Sequence, residues 1–144
     1  MTVSGSRAIQ IHRDLGIELR DGVRTAAEAW IPADGQRHPA ILVRTPYMKE
    51  SAAPTAYIDP RAATARGYAV VLEDVRGCGE SEGEFEPFVN EQADGRDSVA
   101  WTARQPWCDG RVVMAGMSYL GAAQWLAGLS GRRPDCGVGG GGRW

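Results

Sequence analysis

The sequence predicts an α/β fold, with an N-terminal hairpin followed by a mostly parallel sheet with flanking helices. Three observations predict it. Apolar runs of strand length alternate with helix-length segments after residue 38, which is how parallel strands joined by helical crossovers read. The run YAVVLEDV, Tyr68 to Val75, has no alternation in its apolar half, as a central strand covered on both faces requires. Asp21-Gly22 separates two alternating stretches, the mark of a hairpin turn.

The elements follow in order. Ile9 and Ile11, then Ile17 and Leu19, alternate with polar neighbours up to the turn, and Val23 to Ile31 returns as the second strand. Pro39 to Thr45 (PAILVRT) is a buried-strand run that Pro46 ends, since proline donates nothing to a ladder. Residues 47–60 show weak pattern. Arg61 to Arg66 suits a short helix started by Pro60 and stopped by Gly67. After the strand at 68–75 comes a Gly- and Glu-rich loop from Arg76 to Pro87. Asn90 or Asp94 then caps a helix to about Gln105, ended by Pro106. Asp109-Gly110 reads as a turn, Arg111 to Ala115 as a strand and Tyr119 to Leu129 as an apolar helix.

Composition narrows the function. A net charge of -2 over 144 residues leaves no basic footprint for nucleic acid. No stretch of about 18 apolar residues exists, so no membrane span is expected. The start, MTVSGSRAIQIHRD, has no apolar core of a signal peptide, which makes the cytoplasm the predicted compartment. Cys78, Cys108 and Cys136 are odd in number and widely spaced, which argues against a disulfide framework and a zinc site. No cofactor and no metal are expected. Gly77 and Gly79 follow a strand, but Gly83 comes one residue too late for a dinucleotide fingerprint, and Glu80, Glu82, Glu84 and Glu86 would repel phosphate. Trp101, Trp107 and Trp125 read as core or helix-packing residues.

The chemistry concentrates in RVVMAGMSYLG, residues 111–121. A β-branched strand runs into Gly116-Met117-Ser118 and at once into a helix, the layout of a nucleophile elbow. The sharp turn lifts the serine hydroxyl clear, and the helix N-terminus aims its free N–H groups at it. The second glycine of G-x-S-x-G arrives one residue late, at Gly121, so the tripeptide alone favours a serine acting as helix N-cap, and it is the strand-turn-helix setting that points to the elbow.

The segment GMSYLGAAQWLAG resembles the cocaine-esterase/X-Pro dipeptidyl-peptidase family of CocE/NonD-type α/β-hydrolases, whose elbow is G-x-S-Y-x-G. VRTPYMKE (43–50), RGYAVVLEDVRGCGESEGEFEPF (66–88), NEQADGRDSVAW (90–101) and QPWCDGRVVMAG (105–116) resemble it in the same order. The resemblance runs from about Ile9 to Leu129. It implies a partial α/β-hydrolase fold, truncated after the elbow helix. It also implies a serine hydrolase of acyl esters or amides, X-Pro peptides included, with a small-molecule or peptide acyl substrate. Ser118 would be the nucleophile that forms an acyl-enzyme. The Tyr119 backbone N–H and the Tyr47 hydroxyl would stabilise the oxyanion. Without the resemblance, Tyr47 reads as a surface-loop aromatic. Asp74 precedes the serine, whereas the order in this fold is Ser, acid, His, so Asp74 is expected to be a structural partner of Arg76 or of a nearby backbone N–H.

The acid and histidine are missing from the 144 residues. Only Asp135 is acidic after Ser118, and His12 and His38 both precede it. The expected division is residues 1–129 as the N-terminal part of a catalytic domain and 130–144 as a Gly/Arg-rich disordered tail. This reading makes the chain a truncated member, through a frameshift or as a gene remnant, and inactive by itself. The alternative is a non-catalytic fragment or interaction subunit completed by a second chain. In either case the strand at 111–115 is expected to leave a sheet edge open to self-association.

Overall fold

The computed structural model describes residues 8–129. Strands β1 (Ile9–Glu18), β2 (Arg24–Pro32), β3 (His38–Thr45), β4 (Ala69–Asp74) and β5 (Cys108–Met114) form one sheet, in the order β1-β2-β4-β3-β5. β1 and β2 are antiparallel, and β2 is antiparallel to β4; β4, β3 and β5 run parallel. Helices α1 (Ala52–Thr55), α2 (Pro60–Ala65), α3 (Glu91–Ala103) and α4 (Tyr119–Gly128) connect and cover them.

Every residue of β4 is buried, as its unbroken apolar run requires of a strand with a neighbour on each side and cover on each face. The sheet separates two apolar layers. One joins Ile17, Ala29, Leu42, Val71, Val112 and Met114 to Val99 of α3 and Ala127 of α4. The other joins Val43, Val70 and Leu72 to Tyr119 and Leu120, with Ile58 and Ala63 at its margin. α3 and α4 pack closely: a Cβ on Gly95 would stand 2.7 Å from the Ala127 Cβ.

Local chemistry explains the element ends. The hairpin closes at Asp21-Gly22 with Gly22 at φ 85, and the Leu19 N–H donates to the Val23 carbonyl across 2.9 Å. Asp59 caps α2, accepting the N–H groups of Arg61 and Ala62 ahead of Pro60 in the first turn.

β1 is a single strand, as its alternation predicts, with a register slip between His12 and Leu15, where Asp14 takes φ 55 in a bulge. Two local expectations shift. Asp109-Gly110 is no turn. It lies inside β5, where Gly110 at φ 93 accompanies a register slip against β3. α1 is a helix within the weakly patterned segment, capped by Ser51, and four residues are too short to show periodicity. The expected disordered tail at 130–144 lies outside the described residues, as does Cys136. Among the described residues, no helix is long and apolar enough to cross a membrane.

Candidate active site

Parallel pairing of β3 and β5 brings the expected residues to one end of the sheet. Leu42 pairs with Met114, and the Ala115 N–H donates to the Leu42 carbonyl at 3.1 Å. The two strands then end side by side, β3 leading toward Tyr47 and β5 toward Ser118. Met117 lies just before the serine and is 57% exposed; Ser118 is exposed as well.

The backbone at Ser118 has φ 55 and ψ -123, a conformation that a non-glycine residue adopts only under constraint. Its side chain makes no capping hydrogen bond to α4. The N-cap alternative therefore loses its defining contact, at a strand-to-helix turn of the kind an elbow uses. Gly116 permits the turn. It sits at φ 146, and a Cβ there would stand 2.3 Å from the Leu120 Cβ. Gln124, one turn into α4, donates to the Gly116 carbonyl at 3.1 Å, a support that its mid-helix position concealed in the sequence.

Tyr119 opens α4, so its N–H belongs to the first-turn groups that lack an intrahelical acceptor. Its side chain turns inward. The phenol donates to Glu91 Oε1 at 2.8 Å and accepts the Phe88 N–H at 3.2 Å, and its ring stacks on Phe88 with centroids 4.7 Å apart. Burial, with the nearby Glu91 carboxylate adding to it, pushes this phenol up to about 12, so it remains a protonated donor at neutral pH.

Tyr47 is 48% exposed, and its N–H donates to Thr45 Oγ1 at 3.0 Å. Two residues on, the Lys49 N–H donates to Asp74 Oδ1 at 2.5 Å, pinning this loop to the end of β4. Asp74 also accepts the Glu80 N–H at 3.3 Å, and Lys49 Nζ pairs with both Asp74 and Glu80. Asp74 is thus partnered by backbone N–H groups, whereas Arg76 pairs with Asp94 and Asp21. Of the loop acids, Glu80 takes Lys49 and Glu82 accepts the Arg24 N–H.

Beneath the elbow lies a buried ion network that the sequence did not reveal. Arg44 Nε donates to Glu73 Oε2 at 3.1 Å and Arg44 Nη1 to Glu91 Oε2 at 2.5 Å. Burial works against the Arg44 charge, but Glu73, Glu91 and Asp94 outweigh it and hold the guanidinium above its ordinary value.

With this geometry in place, the comparisons with known proteins are specific. The family model described as X-Pro dipeptidyl-peptidase (S15 family) matches residues 21–134. The chain belongs to that family. Cocaine esterase of Rhodococcus sp. is 47% identical over 121 residues, covering 80% of this chain and 20% of that protein. An α-amino acid ester hydrolase superposes with TM-score 0.72 at 26% identity, over 88% of this chain and 24% of its own. A CocE/NonD family hydrolase from Staphylococcus aureus superposes with TM-score 0.76 over 85% of this chain and 26% of its own; at 24% identity it speaks for the fold alone. The sheet and its helices are therefore part of an α/β-hydrolase fold, and these named relatives are hydrolases. The chain spans about a fifth of the length of the curated relatives it matches.

Proposed function

We propose that this chain is the nucleophile-bearing segment of a serine hydrolase acting on acyl esters or amides, X-Pro peptides among them. The observation that carries the proposal is Ser118 at φ 55 with its hydroxyl uncommitted to helix capping. Ser118 Oγ attacks the substrate carbonyl. The Tyr119 N–H and the Tyr47 hydroxyl donate to the oxyanion, acting where charge develops in the transition state. The leaving alcohol or amine departs, and water then releases the acid from Ser118.

Proton transfer at Ser118 needs a base, and the 144 residues hold no histidine after it. Relative to a complete triad, loss of the base lowers kcat by on the order of 10⁶. An oxyanion hole by itself leaves about 10³–10⁴ over water. Aryl-ester hydrolysis by the purified chain is the test. Slow turnover that Ser118→Ala abolishes supports the reading, and ordinary enzymatic rates would refute the need for an added base.

A second reading rests on β5, which pairs with β3 and stands at the sheet's end among the described residues. In that reading two copies associate along this edge. Size-exclusion chromatography separates monomer, dimer and aggregate.

A further inference from the structure

Two residues near the elbow hold conformations that side chains rarely adopt, Ser118 at φ 55 and Phe88 at φ 68. Such backbones persist where the surroundings over-determine them. One side chain ties the two together. The Tyr119 phenol accepts the Phe88 N–H and donates to Glu91, and the ring stacks on Phe88. Glu91 in turn is gripped by Arg44, whose other partner, Glu73, accepts the hydroxyls of Thr25 and Ser98, each at 2.9 Å. The Arg44 and Glu73 side chains are fully buried. Arg44 also lies three residues before Tyr47 on the strand that delivers it.

A buried ion pair is weak support for stability, because well-packed apolar residues do as well. What it supplies here is placement, since it spans the two segments that carry the proposed oxyanion donors. We propose that Glu91, held by Arg44, is a positioning residue for acyl transfer at Ser118: acting through the Tyr119 phenol, it sets the Tyr119 backbone N–H relative to Tyr47. This inference rests on Ser118 being the nucleophile.

Phenylboronic acid bound to the 144-residue chain provides the test. Ser118 Oγ adds to the trigonal boron and its proton passes to buffer, which leaves a tetrahedral boronate with an oxygen in the oxyanion position. The readouts are the boronate dissociation constant, the Tyr119 amide shift on binding, and amide exchange at Phe88 and Leu120. Tyr119→Phe and Glu91→Ala should each weaken the boronate at least tenfold and speed both exchanges at least tenfold, while β4 amides keep their protection. Glu91→Gln, which keeps an acceptor for the phenol, should recover most of the affinity. Wild-type affinity and exchange in both Tyr119→Phe and Glu91→Ala would overturn the positioning role alone. No adduct on the wild-type chain, or one that survives Ser118→Ala, would overturn the nucleophile reading and this inference with it.

Discussion

Asp74 accepts the Lys49 backbone N–H across 2.5 Å, and that bond holds the Tyr47 loop against the end of β4. Asp74 and Lys49 are 1% and 4% exposed, so neither charge is relieved by water. Asp74→Ala leaves the Lys49 ammonium with Glu80 alone and two backbone donors without their acceptor. It should cost about 2–4 kcal/mol, read by urea denaturation. Asp74→Asn, which keeps an acceptor, should cost less. A cost near zero for Asp74→Ala would contradict the structural role.

Strain at the elbow predicts an inverted response to glycine. Ser118→Gly removes the Cβ from a backbone at φ 55 and should be more stable than Ser118→Ala by about 1 kcal/mol, although glycine ordinarily lowers stability. Gly116→Ala should do the opposite and lose about 2 kcal/mol or more, because its Cβ meets Leu120 and its φ is 146. Thermal unfolding of the three variants ranks them.

Acid stability should carry the signature of Asp97. Burial raises this carboxyl, but the Arg20 guanidinium, with contacts as short as 2.7 Å, and the Arg20 backbone N–H outweigh it and hold it below its ordinary value. The unfolded chain therefore binds a proton that the folded chain does not, so the stabilisation is present above the unfolded value and is lost as pH falls through the folded one. The Arg20 side chain is 53% exposed, which limits the contribution to about 0.5–1 kcal/mol. Asp97→Asn should be less stable than wild type at pH 7 and indistinguishable from it near pH 2. A gap that persists at pH 2 would rule out this linkage.

The sequence made the frame legible because periodicity and turn chemistry are local. The apolar run of β4, the Asp21-Gly22 turn and the strand-turn-helix at Ser118 each lie within a dozen residues. The brace beneath the elbow was not legible, because Arg44 is 29 residues from Glu73 and 47 from Glu91, and only the parallel pairing of β3 with β4 and the packing of α3 against the sheet bring them together. Arg44 and Glu73 lie near the ends of β3 and β4, and Glu91 opens α3, so nothing adjacent in the chain marks them as partners. Gln124 was masked for a related reason: its contact with Gly116 exists only because the elbow folds the helix back over the turn.

The central claim is that Ser118 is a nucleophile, and a chimera tests it most directly. The matched segment of Rhodococcus cocaine esterase is replaced by the corresponding residues of this chain, and aryl-ester hydrolysis is measured with Ser118 and with Ser118→Ala. The account predicts an active chimera that loses on the order of 10⁶ in kcat on Ser118→Ala. A folded chimera that is inactive with Ser118 present, or one whose hydrolysis survives Ser118→Ala, would contradict it.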